Sequence, residues 1–263
     1  MAAEFRSLLY TDPRLYDLVF PDADDTTGRM LRGAFERYLA GPPGSLLDVG
    51  CGTGRLLESM SRTVPECWGI DLLKSNIAYA RSVRPGLALR VGDMRMARLG
   101  HRFDVVACFG NALSYALTDA DLARTVDTFA AHARPGTLLA LDALNARSYL
   151  EGDGFVAHIA SRVETPEFTA SSESHHTLDR ETRILTRRRT WHIRGRSDVE
   201  DYARYRLLEP EELTRLIEAG GFQMRDLFDN REFRSTELRG RPVTSADPGG
   251  MAGRKLYAFA LAS

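Results

Sequence analysis

Short apolar segments alternate with helical segments along the first half of the chain. Each apolar segment is rich in Leu, Val, Ile or Ala and ends near a glycine or an acid, which is typical of a buried strand. Strands that alternate with helices predict an α/β fold, in which a parallel sheet has helices on both faces. The predicted strands are Ser45–Gly50, Cys67–Asp71, Ala88–Val91, Phe103–Phe109 and Thr137–Asp142, and the helices between them are Arg55–Arg62, Ser75–Arg81 and Asp119–His132.

The second half of the chain has a different pattern. From about Glu151 to Tyr205 it is polar, with β-branched and aromatic residues at intervals, which predicts antiparallel strands with one wet face. The basic run Arg187–Arg189 is interpreted as part of that solvated face. A helix follows, with Pro210 in its first turn and Gly220 at its end. The last two predicted strands are Phe222–Phe228 and Lys255–Leu261.

The composition is that of a globular protein. The chain has 263 residues, a net charge of -1, 43% hydrophobic residues and 27% charged residues. A near-neutral charge disfavours nucleic acid as a partner, because binding the phosphate backbone requires a basic surface. No apolar run reaches the roughly 18 residues of a membrane-spanning helix. The first residues, MAAEFRSLLYTDPR, lack the apolar core of a signal peptide. We therefore expect a cytoplasmic protein without a membrane partner.

Neither the cations nor the cysteines predict a site by themselves. Lys74 and Lys255 are the only lysines among 35 basic residues, and this arginine bias is interpreted as compositional. Cys51, Cys67 and Cys108 have no close-pair spacing, which fits a reducing compartment. No spacing of His, Cys, Asp or Glu predicts a metal site.

A glycine-rich turn follows the first predicted strand. Its sequence, Asp48-Val49-Gly50-Cys51-Gly52-Thr53-Gly54, allows the backbone to turn sharply and to approach a ligand closely. Asp71 ends the second strand, 17 residues beyond Gly54, where a carboxylate can bind a ribose diol. Asp93 and Met94 follow the third strand and could hold an adenine amine and ring. The G-x-G-x-G spacing without a following lysine disfavours dinucleotide and ATP-type phosphate loops.

These motifs resemble those of class I S-adenosyl-L-methionine-dependent methyltransferases. The likeness rests on LLDVGCGTG, GID, GDM and FDVVACFGNALSYAL, and it extends to LYDLVF near the start and GRKLYAFAL near the end. Within the class, the chain is most similar to small-molecule N-methyltransferases, in particular the sugar N,N-dimethyltransferases of antibiotic biosynthesis, and more distantly to glycine N-methyltransferase. The resemblance implies a Rossmann-like seven-stranded sheet with an N-terminal helical lid and an antiparallel β insert after strand 5.

The resemblance also implies a division of the chain. Residues 1–43 would form the lid segment, and residues 44–150 and 206–263 would form the core that binds S-adenosyl-L-methionine. Residues 151–205 would form the β-rich insert. The insert would either shape the acceptor cavity or form an oligomer contact, and the sequence leaves both alternatives open.

Cofactor contacts follow from the same resemblance. Asp71 would accept both ribose hydroxyls, while Asp93 would face the adenine amine. Leu72 and Met94 would pack on adenine, and Phe109 would lie near the sulfonium. The full implied set is Tyr16, Arg29, Asp48, Gly50, Cys51, Gly52, Gly54, Asp71, Leu72, Asn76, Asp93, Met94 and Phe109.

Two residues of the lid would close over the cofactor, and three residues would contact the acceptor. Tyr16 would cover the cofactor and Arg29 would reach its carboxylate, with Arg32 as an alternative because it lies one helical turn away. Tyr10, Tyr115 and Arg254 match positions that contact the acceptor in the sugar N-methyltransferases.

Methyl transfer to an amine requires alignment and desolvation, and proximity alone can supply roughly 7–11 kcal/mol. We therefore expect transfer to the amino group of a small molecule. Transfer to oxygen or carbon is an alternative that would call for a base, for which His158, His175, His176 and His192 are candidates. A non-catalytic nucleoside-binding protein on the same fold is the third hypothesis.

Overall fold

The computed structural model describes residues 12–19, 25–165, 168–229 and 251–263. The helices are α1 (Pro13–Val19), α2 (Thr26–Tyr38), α3 (Arg55–Met60), α4 (Lys74–Val83), α5 (Asp119–Ala131), α6 (Ala146–Leu150) and α7 (Pro210–Ala219), with a short 3-10 helix at Leu113–Tyr115. The strands are β1 (Ser45–Val49), β2 (Glu66–Asp71), β3 (Ala88–Val91), β4 (Phe103–Cys108), β5 (Ala133–Leu144), β6 (His158–Thr165), β7 (Phe168–Asp179), β8 (Ile184–Ile193), β9 (Val199–Arg206), β10 (Phe222–Asp229) and β11 (Lys255–Ala262).

Seven strands form the main sheet, in the order β10-β11-β5-β4-β1-β2-β3. Strands β1 to β5 pair in parallel, whereas β11 is antiparallel to β5 and β10 is antiparallel to β11. This confirms the expected α/β fold with a Rossmann-like seven-stranded sheet. Strand β5 begins four residues earlier than predicted: Ala133 pairs with Phe103 of β4, and the register then shifts before Leu138 pairs with Val105.

Both faces of the sheet are covered, as the apolar character of the strands requires. Adjacent residues on β1 point to opposite faces: Leu46 packs among side chains of α2, α3 and α4, and Leu47 packs among side chains of α5 and α7. Leu46 and Leu47 are both fully buried. The carboxyl ends of the parallel strands therefore lie at one edge of a rigid core, where loops can carry a ligand site.

The insert is a four-stranded antiparallel sheet, in the order β6-β7-β8-β9. Its strands alternate buried and exposed residues, which confirms the predicted antiparallel insert with one wet face. The interpretation of Arg187–Arg189 as a solvated run was wrong for two of its members. Arg187 and Arg189 are on the inner face beside the buried carboxylate of Asp201, at 3.4 and 3.9 Å, because alternate residues of a strand share a face. Arg188 stacks on Tyr202 on the outer face.

Two apolar clusters attach the insert to the rest of the molecule. In one, Leu185 and Tyr205 of the insert pack with Leu144, the last residue of β5, and with Tyr149 of α6. In the other, Trp191 of the insert packs with residues of α1. The insert and α1 thus lie over the end of the sheet where β1, β2 and β4 finish. None of the helices in the described residues has the length and apolar character needed to cross a bilayer.

Candidate active site

The glycine turn connects β1 to α3 with three glycines in the left-handed region. The φ angles are +81° at Gly50, +54° at Gly52 and +83° at Gly54. A Cβ at Gly50 would lie 2.6 Å from the Cβ of Ala112, whereas the space beside Gly52 is open. The N–H groups of Gly50 and Cys51 donate to the carbonyl of Ile70 at 2.8 and 2.9 Å, which fixes the turn against β2.

Asp71 at the end of β2 is held by three hydrogen bonds. Its Oδ1 accepts from the N–H of Leu73 at 2.8 Å and from the side-chain amide of Asn76 at 3.1 Å. Its Oδ2 accepts from the N–H of Gly52 at 3.0 Å. Burial raises the pKa of Asp71, and the two backbone donors oppose that shift. The carboxylate therefore connects the glycine turn with the first turn of α4.

Asp93 follows β3 and forms an ion pair with Arg95. The Arg95 guanidinium donates from Nη2 to Asp93 Oδ2 at 2.6 Å and from Nε to Oδ1 at 2.9 Å. These hydrogen bonds hold the pKa of Asp93 below its usual range. Met94, next to it, packs against the apolar core on one side of the sheet. The tip of the third strand thus carries an ion pair next to an apolar side chain.

The loop after β4 is shaped by Asp142 of β5. Gly110 and Asn111 both have positive φ, +73° and +63°. Asp142 Oδ1 accepts from the N–H of Asn111 at 2.7 Å, and Asp142 Oδ2 accepts from Lys255 Nζ at 2.8 Å. Although burial lowers the pKa of Lys255, the negative charge of Asp142 raises it above its usual range, so this lysine is a fixed cation.

Asp48, at the end of β1, is the most strongly perturbed acid of the site. Its side chain is 4% exposed. Burial, together with the negative charges of Asp71 and Asp142, raises the pKa of Asp48 to about 7. The group is therefore close to half-protonated at neutral pH, and a cation bound nearby would favour its charged form.

Helix α1 is attached to the glycine turn through Asp17. Thr53 Oγ1 donates to Asp17 Oδ1 at 2.6 Å, and Arg84 Nη1 lies 3.0 Å from Asp17 Oδ2. The guanidinium of Arg55 lies over the ring of Tyr16, 5.1 Å from its centroid. Tyr16 is thereby held beside the turn.

These elements enclose a cavity of about 1020 Å³. Most of the residues implied by the resemblance line it: Tyr16, Asp48, Gly50, Cys51, Gly52, Asp71, Leu72, Asn76, Asp93, Met94, Phe109 and Tyr115. Gly54 instead lies at the N-cap of α3, where its left-handed conformation begins the helix.

Three arginines predicted from the resemblance do not line this cavity. Arg29 is exposed on α2. Arg32 donates to Asp25 and Ser59 instead, which directs its guanidinium away from the glycine turn. Arg254 is also exposed, and it stacks on the ring of Tyr149 at 5.2 Å. Tyr10 lies outside the described residues.

Sequence reasoning missed several residues that line the cavity. Arg55 is one, and its position directly after the glycine turn was a usable signal. Thr182, Arg204 and Arg206 are others, contributed by the insert. They reach the cavity only because β9 pairs with β8 and the insert packs back on the core, so no local pattern predicts them.

The residues present fit S-adenosyl-L-methionine, the cofactor that the resemblance implies. Open space beside Gly52 lets a ligand approach the backbone. Asp71 Oδ2 can accept a further hydrogen bond, and Leu72 is 46% exposed, which leaves apolar surface for a ring. The buried Oδ1 of Asn76 has no partner among the described residues. A nucleoside with a hydroxylated sugar would satisfy these groups.

Comparisons with known proteins agree with this geometry. Residues 26–227 match the methyltransferase domain family. The chain is 36% identical over 98 residues to the dTDP-3-amino-3,4,6-trideoxy-alpha-D-glucopyranose N,N-dimethyltransferase of Streptomyces venezuelae, a match that covers 37% of this chain and 41% of that relative. The matched segment therefore spans about two fifths of the length of that relative. A second relative, the dTDP-4-amino-2,3,4,6-tetradeoxy-D-glucose N,N-dimethyltransferase of Saccharopolyspora spinosa, is 29% identical over 68% of this chain and 71% of its own length.

Solved structures show the same fold. The crystal structure of Streptomyces venezuelae DesVI superposes with a TM-score of 0.74 over 96% of this chain and 97% of that one, at 22% identity. The family match spans the glycine turn, all three strand-tip acids and the insert. The resemblance read from the sequence is thereby confirmed. The chain belongs to the methyltransferase domain family.

Proposed function

We propose that the protein transfers a methyl group from S-adenosyl-L-methionine to the amino group of a small molecule, with an amino sugar of antibiotic or other specialised metabolism as the acceptor class. When bound, the cofactor supplies an electrophilic methyl group on a sulfonium. The chain's own contribution is to bind, align and desolvate the two reactants. The names of the two curated relatives, both amino-sugar N,N-dimethyltransferases, support this acceptor class.

The observation that carries the choice of an amine is the placement of the candidate bases. His158 and His175 meet edge to face on the outer face of the insert, with ring centroids 4.7 Å apart. His192 is also exposed and lies beside Asp198, and His176 is not among the residues that line the cavity. Among the described residues, the cavity is thus built without a histidine. An amine with a free lone pair needs no base, and none of the four candidate histidines lines the cavity where it could serve a hydroxyl acceptor.

Aromatic side chains form the proposed acceptor walls. Tyr16, Phe109 and Tyr115 line the cavity, and the hydroxyl of Tyr115 donates to that of Tyr205 at 3.3 Å. We assign Tyr115 to the wall that positions the acceptor beside the reactive methyl group. Tyr10 and Arg254 remain predictions for acceptor contact, and Arg29 remains one for the cofactor carboxylate. Arg55 is the second candidate for that carboxylate because it lines the cavity at the start of α3.

The proposal is tested by the pH dependence of kcat/KM with a series of acceptor amines of different basicity. If the acceptor must lose its own proton and no enzyme base takes part, the midpoint of the profile should follow the pKa of each amine. A midpoint that stays fixed while the amine is changed would assign the titration to a group of the enzyme. Methylation of hydroxyl acceptors without methylation of amines would reject the proposal.

A further inference from the structure

The residues of the insert that line the cavity come from one corner of its sheet. Among the described residues they are Asp179, Thr182, Ile184, Arg204 and Arg206. This insert corner consists of the turn that joins β7 to β8 and the end of β9, which pairs with the start of β8. The position of the insert corner relative to the core therefore sets the shape of one cavity wall.

The turn between β7 and β8 has an unusual backbone conformation. Arg183 has a φ of +56°, in the left-handed region that residues other than glycine rarely adopt. Its carbonyl accepts from the N–H of Leu207 at 2.9 Å, and its Nη1 lies 2.8 Å from Oε2 of Glu212 on α7. Such a conformation persists where neighbouring groups hold it. The ion pair with Glu212 thus helps to fix the turn beside Thr182, which lines the cavity.

Glu212 also holds Arg206 at the end of β9. Arg206 Nη2 donates to Glu212 Oε1 and to Asp119 Oδ1, both at 3.1 Å, and Arg206 Nη1 donates to the carbonyl of Thr182 at 2.9 Å. The Arg206 side chain is 12% exposed and its Nε is buried. The guanidinium therefore has little freedom to turn, and it connects the insert corner with the first turns of α5 and α7.

Glu212 itself is not among the residues that line the cavity. Its Oε2 also accepts from the N–H of Glu209 at 3.3 Å, which fixes the carboxylate at the start of α7. Its side chain is partly buried, as are those of Arg183 and Arg206, so water screens these ion pairs less than it screens pairs on an open surface. One carboxylate of a core helix thus binds two arginines of the insert corner.

We infer that Glu212 is a positioning residue for the proposed methyl transfer, which acts through Arg183 and Arg206 to hold the insert corner where the acceptor binds. The inference rests on the proposed function and concerns the acceptor. Among the described residues, no hydrogen bond or ion pair connects Glu212 directly with the glycine turn or with Asp71. Binding of the cofactor should therefore not depend on Glu212.

The neighbouring Glu211 provides a matched control. It lies in the same first turn of α7, and its carboxylate accepts from Arg147 Nη2 at 2.8 and 3.0 Å. Arg147 is not among the residues that line the cavity. Glu211→Gln and Glu212→Gln therefore remove the same charge from the same helix N-terminus, and each breaks an ion pair. Glu212→Gln alone should release the insert corner.

The test compares acceptor kinetics with cofactor affinity in the wild type and both variants. KM and kcat are measured with a nucleotide-linked amino sugar as the acceptor, and the dissociation constant of S-adenosylhomocysteine is measured by calorimetry. In Glu212→Gln we expect KM for the acceptor to rise about tenfold, with kcat and the dissociation constant unchanged, because a displaced wall weakens acceptor binding. Glu211→Gln should match the wild type in all three quantities.

Hydrogen–deuterium exchange followed by mass spectrometry tests the position of the insert corner without any ligand. In Glu212→Gln the amides of residues 180–186 and 203–208 should exchange faster, while those of the glycine turn should not change. If Glu212→Gln does not fold, Arg183→Met, which breaks the ion pair to the turn and leaves Arg206 in place, should raise KM in the same direction.

Three results would overturn the inference and leave the proposed function intact. One is an unchanged KM for the acceptor in Glu212→Gln. Another is a loss of affinity for S-adenosylhomocysteine as large as the rise in KM. The third is an equal effect of Glu211→Gln and Glu212→Gln, which would assign the change to the charge at the helix end. Failure of the wild type to methylate any amine would instead reject the proposed function, and the inference with it.

Discussion

At the scale of single residues, three acids at neighbouring strand ends have different protonation behaviour because their surroundings differ. Asp93 has a guanidinium partner, which lowers its pKa. Asp71 is buried, and two backbone N–H groups oppose the resulting rise in its pKa. Asp48 is buried beside two other acids, and its pKa rises to about 7. The same residue type thus provides an ion pair, a hydrogen-bond acceptor and a group that titrates near neutrality.

Replacement of Asp71 should weaken cofactor binding strongly. Asp71→Asn keeps the shape but turns one acceptor oxygen into a donor, which then faces the N–H of either Gly52 or Leu73. We expect S-adenosylhomocysteine to bind about 10- to 100-fold more weakly by calorimetry, because hydrogen bonds to a charged group are lost. Asp104→Asn is the control. Asp104 also accepts from backbone N–H groups, but at the amino end of β4. Equal loss of affinity in both variants would contradict this assignment.

The raised pKa of Asp48 predicts the pH dependence of folding. Asp48 ionises near 3.8 when unperturbed and near 7 in the folded protein, so in this window the native state holds a proton that the unfolded chain releases. The contribution of Asp48 to the free energy of unfolding therefore falls as pH rises through the window. Relative to the wild type, Asp48→Asn should gain stability as the pH rises from about 4 to about 7, by up to about 4 kcal/mol.

Urea unfolding of both proteins at several pH values measures this difference. Titrating groups far from Asp48 affect the two proteins alike, so the difference between them reports on Asp48 together with the acids coupled to it, Asp71 and Asp142. Stability curves that run parallel across the whole pH range would show that the pKa of Asp48 is the same in the folded and the unfolded protein, which would contradict the prediction.

At the scale of elements, the ion pair between β5 and β11 supports the loop that follows β4. Asp142 is 3% exposed on its side chain and binds both Lys255 and the N–H of Asn111. The pair therefore connects a strand from the end of the chain to a loop with two positive φ angles. Phe109 and Gly110 of that loop line the cavity, so a shift of the loop would move the cavity wall.

Removal of the lysine should affect stability and catalysis together. Lys255→Met leaves the buried Asp142 carboxylate without its cation, and we expect a loss of about 3 kcal/mol in the free energy of unfolding. We also expect the fold-decrease in kcat to exceed the fold-decrease in affinity for S-adenosylhomocysteine, because the loop lines the cavity where the proposed reaction takes place. Lys74, the only other lysine of the chain, is exposed at the start of α4. The control variant Lys74→Met should therefore change neither the free energy of unfolding nor kcat. A Lys255→Met enzyme with full kcat would show that the pair does not support the loop.

Local patterns predicted the elements of the core and the strand-tip residues, whereas contacts between distant segments were not predictable. The glycine turn, Asp71 and Asp93 follow directly from where strands end, because parallel strands finish at one edge of a sheet. The direction of Arg32 depends on Asp25 and Ser59, and Ser59 lies on another helix. Arg206 lines the cavity only because the insert packs back on the core.

At the scale of the whole molecule, three parts of the chain meet around one space. The carboxyl ends of the parallel strands form its floor, α1 is attached beside the glycine turn, and the insert contributes the remaining wall. Two apolar clusters hold the insert against the core and against α1. The insert therefore contributes directly to the wall of the ligand cavity.

One measurement tests the central claim most directly. The protein is incubated with S-adenosyl-L-methionine labelled in its methyl group, together with a nucleotide-linked amino sugar and the matching sugar that has a hydroxyl in place of the amine. Mass spectrometry then locates the label. We expect label on the amine and none on the hydroxyl sugar. Label on the hydroxyl sugar alone, or release of no S-adenosylhomocysteine with any amine, would contradict this account.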